Sequence, residues 1–346
     1  MESYETVIVG AGPAGLRCAE ILAQNGKEVL VLEKGKVIGD KVCGGLLSLN
    51  DLELGIPNKI IQKKYKKITI RTPFKDTEVK LDKSFLATID RKDLGKWMFD
   101  KTKKAGAEIR IKSAVTKIND KFIVVNDKKI KYKYLIGADG ANSIVRKHLN
   151  VKTDKFLEAF HYICNRKTKD FEIIVDPDKF GPGYLWVFPY KNTTSIGTGG
   201  DVIKKLNKPV FNLKICDIRK NLDGWCKKKK INTKKAKFQA AMINYDYKGH
   251  KFGNKFLIGD AGGFASGLTG EGIYFAIKSG EEIAKKIIDK KYNCPYIKHM
   301  IKVKKLEEGF LRTLEKNKLF SKIEWGLLNT LFEIKWLDKK IVKKVD

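Results

Sequence analysis

Val7-Ile8-Val9-Gly10-Ala11-Gly12-Pro13-Ala14-Gly15-Leu16 is the stretch whose reading decides the fold. The apolar run from Thr6 to Val9 reads as a short strand, and the three glycines after it have the spacing GxGxxG. Leu16, Ala19, Ile21, Leu22 and Ala23 make a mostly apolar helix that Gly26 ends, and Val29 to Leu32 reads as a second strand. Each glycine has its own task. Gly10 permits a tight turn, Gly12 lets backbone approach a pyrophosphate, and Gly15 lets helix and strand pack closely. The helix N-terminus offers unpaired N–H groups and a positive dipole end to phosphate oxygens. Glu33 closes the second strand, where its carboxylate can accept a hydrogen bond from a ribose hydroxyl. Strand, turn, helix, strand and acid in this order point to a bound dinucleotide.

Outward from that core, Lys67–Arg71 and Glu78–Leu81, the latter running toward Ile89, read as strands, and Arg91 to Lys104 as a helix ended by Gly106. Short strands are expected near Glu108–Ile111, Phe122–Val125 and Tyr134–Ile136. Residues 151–245 change character: Phe171–Val175, Tyr184–Phe188 and Thr194–Gly197 suggest an antiparallel sheet. Nucleotide-fold signals return at Lys255–Ile258, and from Glu281 onward the chain reads as helices. The expected architecture is α/β plus antiparallel β. A discontinuous Rossmann-type domain (1–65, 86–150, 246–290) is interrupted by a β-sheet substrate domain (66–85, 151–245), and a helical C-terminal segment covers 291–346.

Two further motifs choose the dinucleotide. Residues 137–146 read Gly-Ala-Asp-Gly-Ala-Asn-Ser-Ile-Val-Arg, and residues 257–263 read Leu-Ile-Gly-Asp-Ala-Gly-Gly. Together with Arg91, ahead of a helix containing Leu94 and Trp97, they resemble the p-hydroxybenzoate hydroxylase-like flavoproteins over roughly residues 1–290. The resemblance implies FAD. It implies that Asp260 binds the ribityl chain and that Gly272 and Ile273 begin a helix aimed at the flavin pyrimidine. Arg91 is implied near the ribityl–phosphate region, with Ala14, Cys43, Gly44, Gly45 and Val115 lining the cofactor. Asp139 is expected to brace loops around the flavin, near a visiting nicotinamide, or else to be a plain turn aspartate. Only one complete dinucleotide fingerprint is present, so electrons are expected from transiently bound NAD(P)H or from a protein donor such as ferredoxin.

Lys41-Val42-Cys43-Gly44-Gly45-Leu46-Leu47 and Tyr184-Leu185-Trp186-Val187-Phe188-Pro189, the latter followed by Gly197-Thr198-Gly199, narrow the family. This pair of segments looks like the geranylgeranyl reductases, which reduce isoprenoid double bonds. The chain is shorter than many members, and it reads CGG where archaeal lipid reductases often carry CGEG. Cys43 is the candidate catalytic residue, as proton donor or gate, against the alternative of a small residue packed on the flavin ring. Tyr184, Trp186 and Phe188 alternate, so they share one strand face, read either as a prenyl-binding wall or as core packing. A flavin monooxygenase or halogenase of the same fold is the main rival, since Trp186 sits in a motif partly like the halogenase WxWxIP pattern.

Lysine and arginine number 71 against 40 acidic residues, a net charge of +31. That excess suits a solvated surface or attraction to polyanions. No recognisable nucleic-acid module accompanies it, so a nucleic-acid partner is not expected. Six cysteines without a CxxC pair suggest a reduced, intracellular protein with no metal site. With a strand beginning by Glu5 and no apolar run of about 18 residues, neither a signal peptide nor a membrane span is expected. Leu319, Ile323, Leu327 and Leu331 recur at helical spacing ahead of Lys339, Lys340, Lys343 and Lys344. That segment reads as a helix resting on an anionic membrane surface, or as one closing a pocket. The expected location is cytoplasmic, with peripheral attachment to the inner face of the cell membrane as the variant for a lipid substrate.

Overall fold

Val7, Ile8 and Val9 are at most 6% exposed, and a strand buried on both faces belongs in the middle of a sheet. The computed structural model, which describes residues 1–201 and 213–314, places the strand Glu2–Val9 there. It pairs in parallel with Lys128–Gly137 on one side and Val29–Leu32 on the other. Lys255–Leu257 and Glu108–Arg110 extend the two flanks, again in parallel. Lys251–Phe252 adds an antiparallel edge, and Phe122–Val125 and Val115–Ile118 form an antiparallel flap on Lys128–Gly137.

One face of this sheet packs Val7, Val9, Leu30, Leu32 and Leu135 against Ile123 and Val125 of the flap. Ile8 points the other way, toward the helix Pro13–Gln24. A methyl group on Gly15 would lie 3.2 Å from Ile8 Cγ2 and only 2.1 Å from Gly10 O, so this helix reaches its seat because residue 15 has no side chain. The helix Ile273–Ile288 meets Pro13–Gln24 just as closely, since a methyl on Gly280 would fall 2.4 Å from Ala14 O.

The described residues divide into two compact units: Met1–Lys41, Arg91–Phe156 and Met242–Glu307 form the first, and Val42–Asp90 with the described parts of 157–241 and 308–314 the second. The sequence reading assigned 42–65 and 86–90 to the nucleotide fold. In the structure the strands Leu46–Leu47, Leu86–Ile89 and Ile61–Tyr65 form a small sheet of their own. Tyr65 and Phe85 also join a core with Phe171 and Phe188, which places them in the second unit. The strand expected to run from Glu78 toward Ile89 is therefore two strands in two sheets, Asp76–Lys80 and Leu86–Ile89. Residues 291–307, expected in a separate segment, belong to the first unit. Glu282 accepts hydrogen bonds from Tyr296 N (2.8 Å) and Ile297 N (3.3 Å) and so caps the helix Pro295–Leu314.

The second unit is built on a seven-stranded sheet. Phe156–Cys164, Thr194–Asp201, Leu185–Pro189 and Glu172–Ile174 pair antiparallel in that order. Leu185 and Val187 pack into one core with Phe160 and Leu222, whereas Trp186 and Phe188 pack into another with Tyr65 and Phe171. Glu172–Ile174 then pairs in parallel with Lys67–Arg71, so the sheet expected to be antiparallel is mixed, and it carries apolar side chains on both faces. Among the described residues no helix is long and apolar enough to cross a membrane. The segment 316–344, expected either to rest on an anionic membrane or to close a pocket, lies outside the described residues.

Candidate functional site

In the first unit the site begins at the glycine turn. Gly10 has φ +103°, and a methyl there would lie 2.4 Å from Ala138 O, so the backbone itself demands glycine. Gly12 differs: the nearest atom to a methyl there is Ala138 O at 3.9 Å. The protein leaves open space beside Gly12, as a turn that receives a ligand must. The helix that follows has no side-chain cap at Gly12 and carries Pro13 at its start. Its first-turn N–H groups have no acceptor within the helix, which suits phosphate oxygens. Glu33 ties the turn to the next strand, accepting from Ala11 N through Oε2 (2.9 Å) and from Gly35 N through Oε1 (2.7 Å). Each oxygen keeps a further lone pair for a hydroxyl.

Asp139 follows Ala138 directly. Its Oδ2 accepts from Ile144 N (2.6 Å) and Val145 N (3.4 Å), while Oδ1 is buried without a partner. Burial pushes this carboxyl above its ordinary range, and hydrogen bonds from Ser143 and the backbone pull the other way. Arg91 opens the helix Arg91–Lys104, and its Nη1 is likewise buried without a partner. An unmet buried polar atom costs about 1–3 kcal/mol, a cost that a polar ligand relieves.

Asp260 completes this side. It is paired with Lys41 at 2.6 Å, the carboxylate far less exposed than the lysine. A methyl on Gly272 would lie 3.5 Å from Asp260 Oδ1. The carboxylate therefore stands beside Gly272, the uncapped start of the helix Ile273–Ile288. The Gly259 N–H donates to Ser279 Oγ (3.0 Å), pinning the motif to that helix. Lys41 and Ser279 were not read as site residues. Lys41 was visible only as the start of the cysteine segment, and nothing local announces a partner so far along the chain. Val115 is partly buried against the core of the first unit, which includes Val7 and Val9 of the strand that leads into the glycine turn.

The second unit holds the cysteine turn. The Gly45 N–H donates to Cys43 Sγ at 3.3 Å, and Gly45 adopts φ +71°. The Ile89 N–H donates to Gly45 O (2.9 Å), and the Tyr190 hydroxyl donates to Gly44 O (2.8 Å). A methyl on Gly44 would lie 3.5 Å from the Phe188 ring and 3.6 Å from Trp186, so the turn rests on those rings. Trp186 stacks on Phe188 (5.8 Å, 23°), and Phe188 on Phe171 (4.4 Å, 19°). Tyr184, Trp186 and Phe188 share one face, as their alternation predicts. Trp186 and Phe188 are only 8% and 3% exposed, whereas Tyr184 is half-buried at the margin of that cluster. Beneath them, Trp186 Nε1 donates to Ser195 Oγ (3.0 Å), and Ser195 Oγ lies 2.8 Å from His161 Nδ1. Burial lowers the His161 pKa to about 4, with a Gln239 hydrogen bond opposing and Lys237 adding to the shift.

The profile of the FAD binding domain family matches residues 3–290. The chain belongs to that family. It is an FAD-dependent oxidoreductase of the p-hydroxybenzoate hydroxylase-like superfamily. This FAD-binding chain is similar to the geranylgeranyl diphosphate reductase of Rhodobacter capsulatus, 28% identical over 305 residues that make up 81% of this chain and 74% of that protein. It is also similar to the digeranylgeranylglycerophospholipid reductase of Methanococcus vannielii, 29% identical over 325 residues, 84% of this chain and 80% of that one. Its fold resembles the solved geranylgeranyl bacteriochlorophyll reductase-like protein of Thermoplasma acidophilum, with a TM-score of 0.73, 22% identity, and coverage of 91% and 88%. The open side of Gly12, the uncapped helix starts, and the unmet atoms of Arg91 and Asp139 all fit a dinucleotide of this kind.

Proposed function

We propose that this protein is an FAD-dependent reductase that saturates carbon–carbon double bonds of a prenyl lipid of the geranylgeranyl type. The observation that carries the reading is the clamped Cys43–Gly45 turn, in a chain that aligns over four-fifths of its length with reductases of geranylgeranyl groups. FAD, when bound and reduced, supplies the hydride. An isolated alkene has no carbonyl to hold developing charge, so a proton must reach the second carbon as the hydride reaches the first. The Cys43 thiol donates that proton, and the thiolate left behind regains one from solvent. Gly45 N–H and the Tyr190 hydroxyl hold the thiol's turn in one conformation.

Gly10, Gly12, Ala14 and Gly15 hold the diphosphate, Glu33 the adenosine ribose, and Arg91 and Asp260 the ribityl–phosphate region. Asp139 steadies the loops around them, and Cys43, Gly44, Gly45 and Val115 line the cofactor. Gly272 and Ile273 present a helix N-terminus to the flavin pyrimidine, favouring negative charge on the reduced ring. Tyr184 offers the accessible edge of an apolar wall whose buried part is Trp186 and Phe188. NAD(P)H or ferredoxin supplies the electrons. Reduced protein incubated without oxygen with geranylgeranyl diphosphate, or with a geranylgeranylated glycerophospholipid, should add the mass of two hydrogens per saturated bond. Full FAD occupancy with no mass gain on either substrate would end the reading. An oxygenated or halogenated aromatic product formed in air would replace it with the monooxygenase or halogenase reading. Binding to anionic vesicles at low salt is the expected companion property.

A further inference from the structure

Lys304 is 5% exposed. Lysine is rarely buried to that degree without a specific partner. Its Nζ donates to Ala265 O at 2.6 Å. One helical turn on, Glu307 accepts from Ser266 Oγ at 2.8 Å and from the Gly267 backbone. Ser266 Oγ in turn accepts from Leu268 N (3.2 Å) and Thr269 N (3.0 Å), and the Ser266 N–H donates to Glu271 O (2.9 Å). The loop 265–272 is thus wound around Ser266 and gripped from behind by two side chains of the helix Pro295–Leu314. It ends at Gly272, where a methyl would lie 3.8 Å from Ala265 Cβ. Lys304 Nζ is therefore bonded to the carbonyl of the residue whose side chain neighbours Gly272, the uncapped start of the helix Ile273–Ile288.

We propose that Lys304 is a positioning residue: it fixes the loop 265–272 and adds a buried positive charge behind the helix start that faces the flavin, thereby favouring the reduced, anionic cofactor. Glu307 opposes part of that charge and anchors the same loop. Burial raises the Glu307 carboxyl, while Ser266 and Lys304 pull it down and the neighbouring Glu271 raises it. The inference rests on the assignment of Gly272 and Ile273 to the flavin pyrimidine made above.

The test is the FAD midpoint potential of the loaded protein by dye equilibration at pH 8.5. K304M should shift it to more negative values with FAD stoichiometry unchanged, and K304R should stay near wild type. E307Q should shift it to more positive values. Equal shifts in K304M and K304R, or no shift in K304M, would overturn the role of the charge while leaving FAD binding intact. If K304M does not fold, E307Q decides alone: a positive shift supports the proposal, and none or a negative one overturns it. Failure of the wild-type protein to take up FAD would instead strike the cofactor assignment.

Discussion

The two glycine turns of this protein are held in opposite ways. In the first unit, Gly10 and Gly15 are demanded by main-chain atoms, and the one glycine the protein does not need for itself, Gly12, borders open space. In the second unit, the main chain of Ile89 frames Gly45, but Gly44 is held by side chains, with the Tyr190 hydroxyl on its O and the rings of Trp186 and Phe188 beneath. A turn framed by backbone carries its ligand requirement in its spacing. A turn framed by side chains carries it in residues far along the chain.

The contrast breaks most sharply in a pair of variants. G15A pushes a methyl to 2.1 Å from Gly10 O; it should lose FAD outright and destabilise the fold by about 3 kcal/mol or more, read by cofactor release and urea unfolding. G12A puts its methyl no nearer than 3.9 Å to the rest of the protein, an ordinary contact with Ala138 O. It should unfold at the wild-type urea concentration yet bind FAD about 10- to 100-fold more weakly, since about 1.4 kcal/mol changes an equilibrium tenfold. Equal effects from the two would erase the distinction drawn here.

In the second unit the expected order is reversed, with chemistry lost before binding. C43A should keep bound FAD and lose most turnover on the geranylgeranyl substrate; full turnover would remove Cys43 from the reaction. Y190F deletes one hydrogen bond to Gly44 O, worth about 1 kcal/mol, and should cut kcat several-fold with FAD affinity unchanged. A matching loss of FAD affinity would show that the turn serves the cofactor rather than the thiol.

The last effect is one of pH, read in stability rather than in turnover. Burial holds His161 neutral, its folded pKa near 4 against about 6.5 for the free side chain. Between those values the unfolded chain binds the proton and the folded one does not. The associated stability is therefore full above about pH 6.5 and is lost as pH falls to about 4. At 1.36 kcal/mol per pKa unit it amounts to roughly 3 kcal/mol. Urea unfolding of wild type and H161Q from pH 7 to pH 4 should show a shallower pH slope in the variant; parallel curves would deny His161 this role.

The sequence made the first unit legible because its signals are local. Apolar strands, glycine spacing and the acid at Glu33 all fall within the first few dozen residues, and the parallel core follows from them. The second unit was harder to read. Leu86–Ile89 follows Asp76–Lys80 after a short polar break at Asp82–Ser84, as a hairpin partner would, yet joins another sheet, and no local signal names its partner. The alternation of Tyr184, Trp186 and Phe188 gave their common face, but not the burial of two of them under Phe171 and Tyr65. Lys41, Tyr190, Lys304 and Glu307 act through partners remote in sequence, and a single charged or hydroxyl group carries no mark of a distant mate.

The seat of Gly280 against Ala14 has a consequence for how the protein is made. The strand Lys255–Leu257 and the helix Ile273–Ile288 are the last pieces of a cradle whose opening residues leave the ribosome first. Until they emerge, the nascent glycine turn lacks both its neighbouring helix and Asp260, so it has no finished place for a cofactor. Residues 157–241 are synthesised during that wait. Flavin should therefore be captured late, only by chains that already include the helix Ile273–Ile288, and products stalled before it should remain colourless.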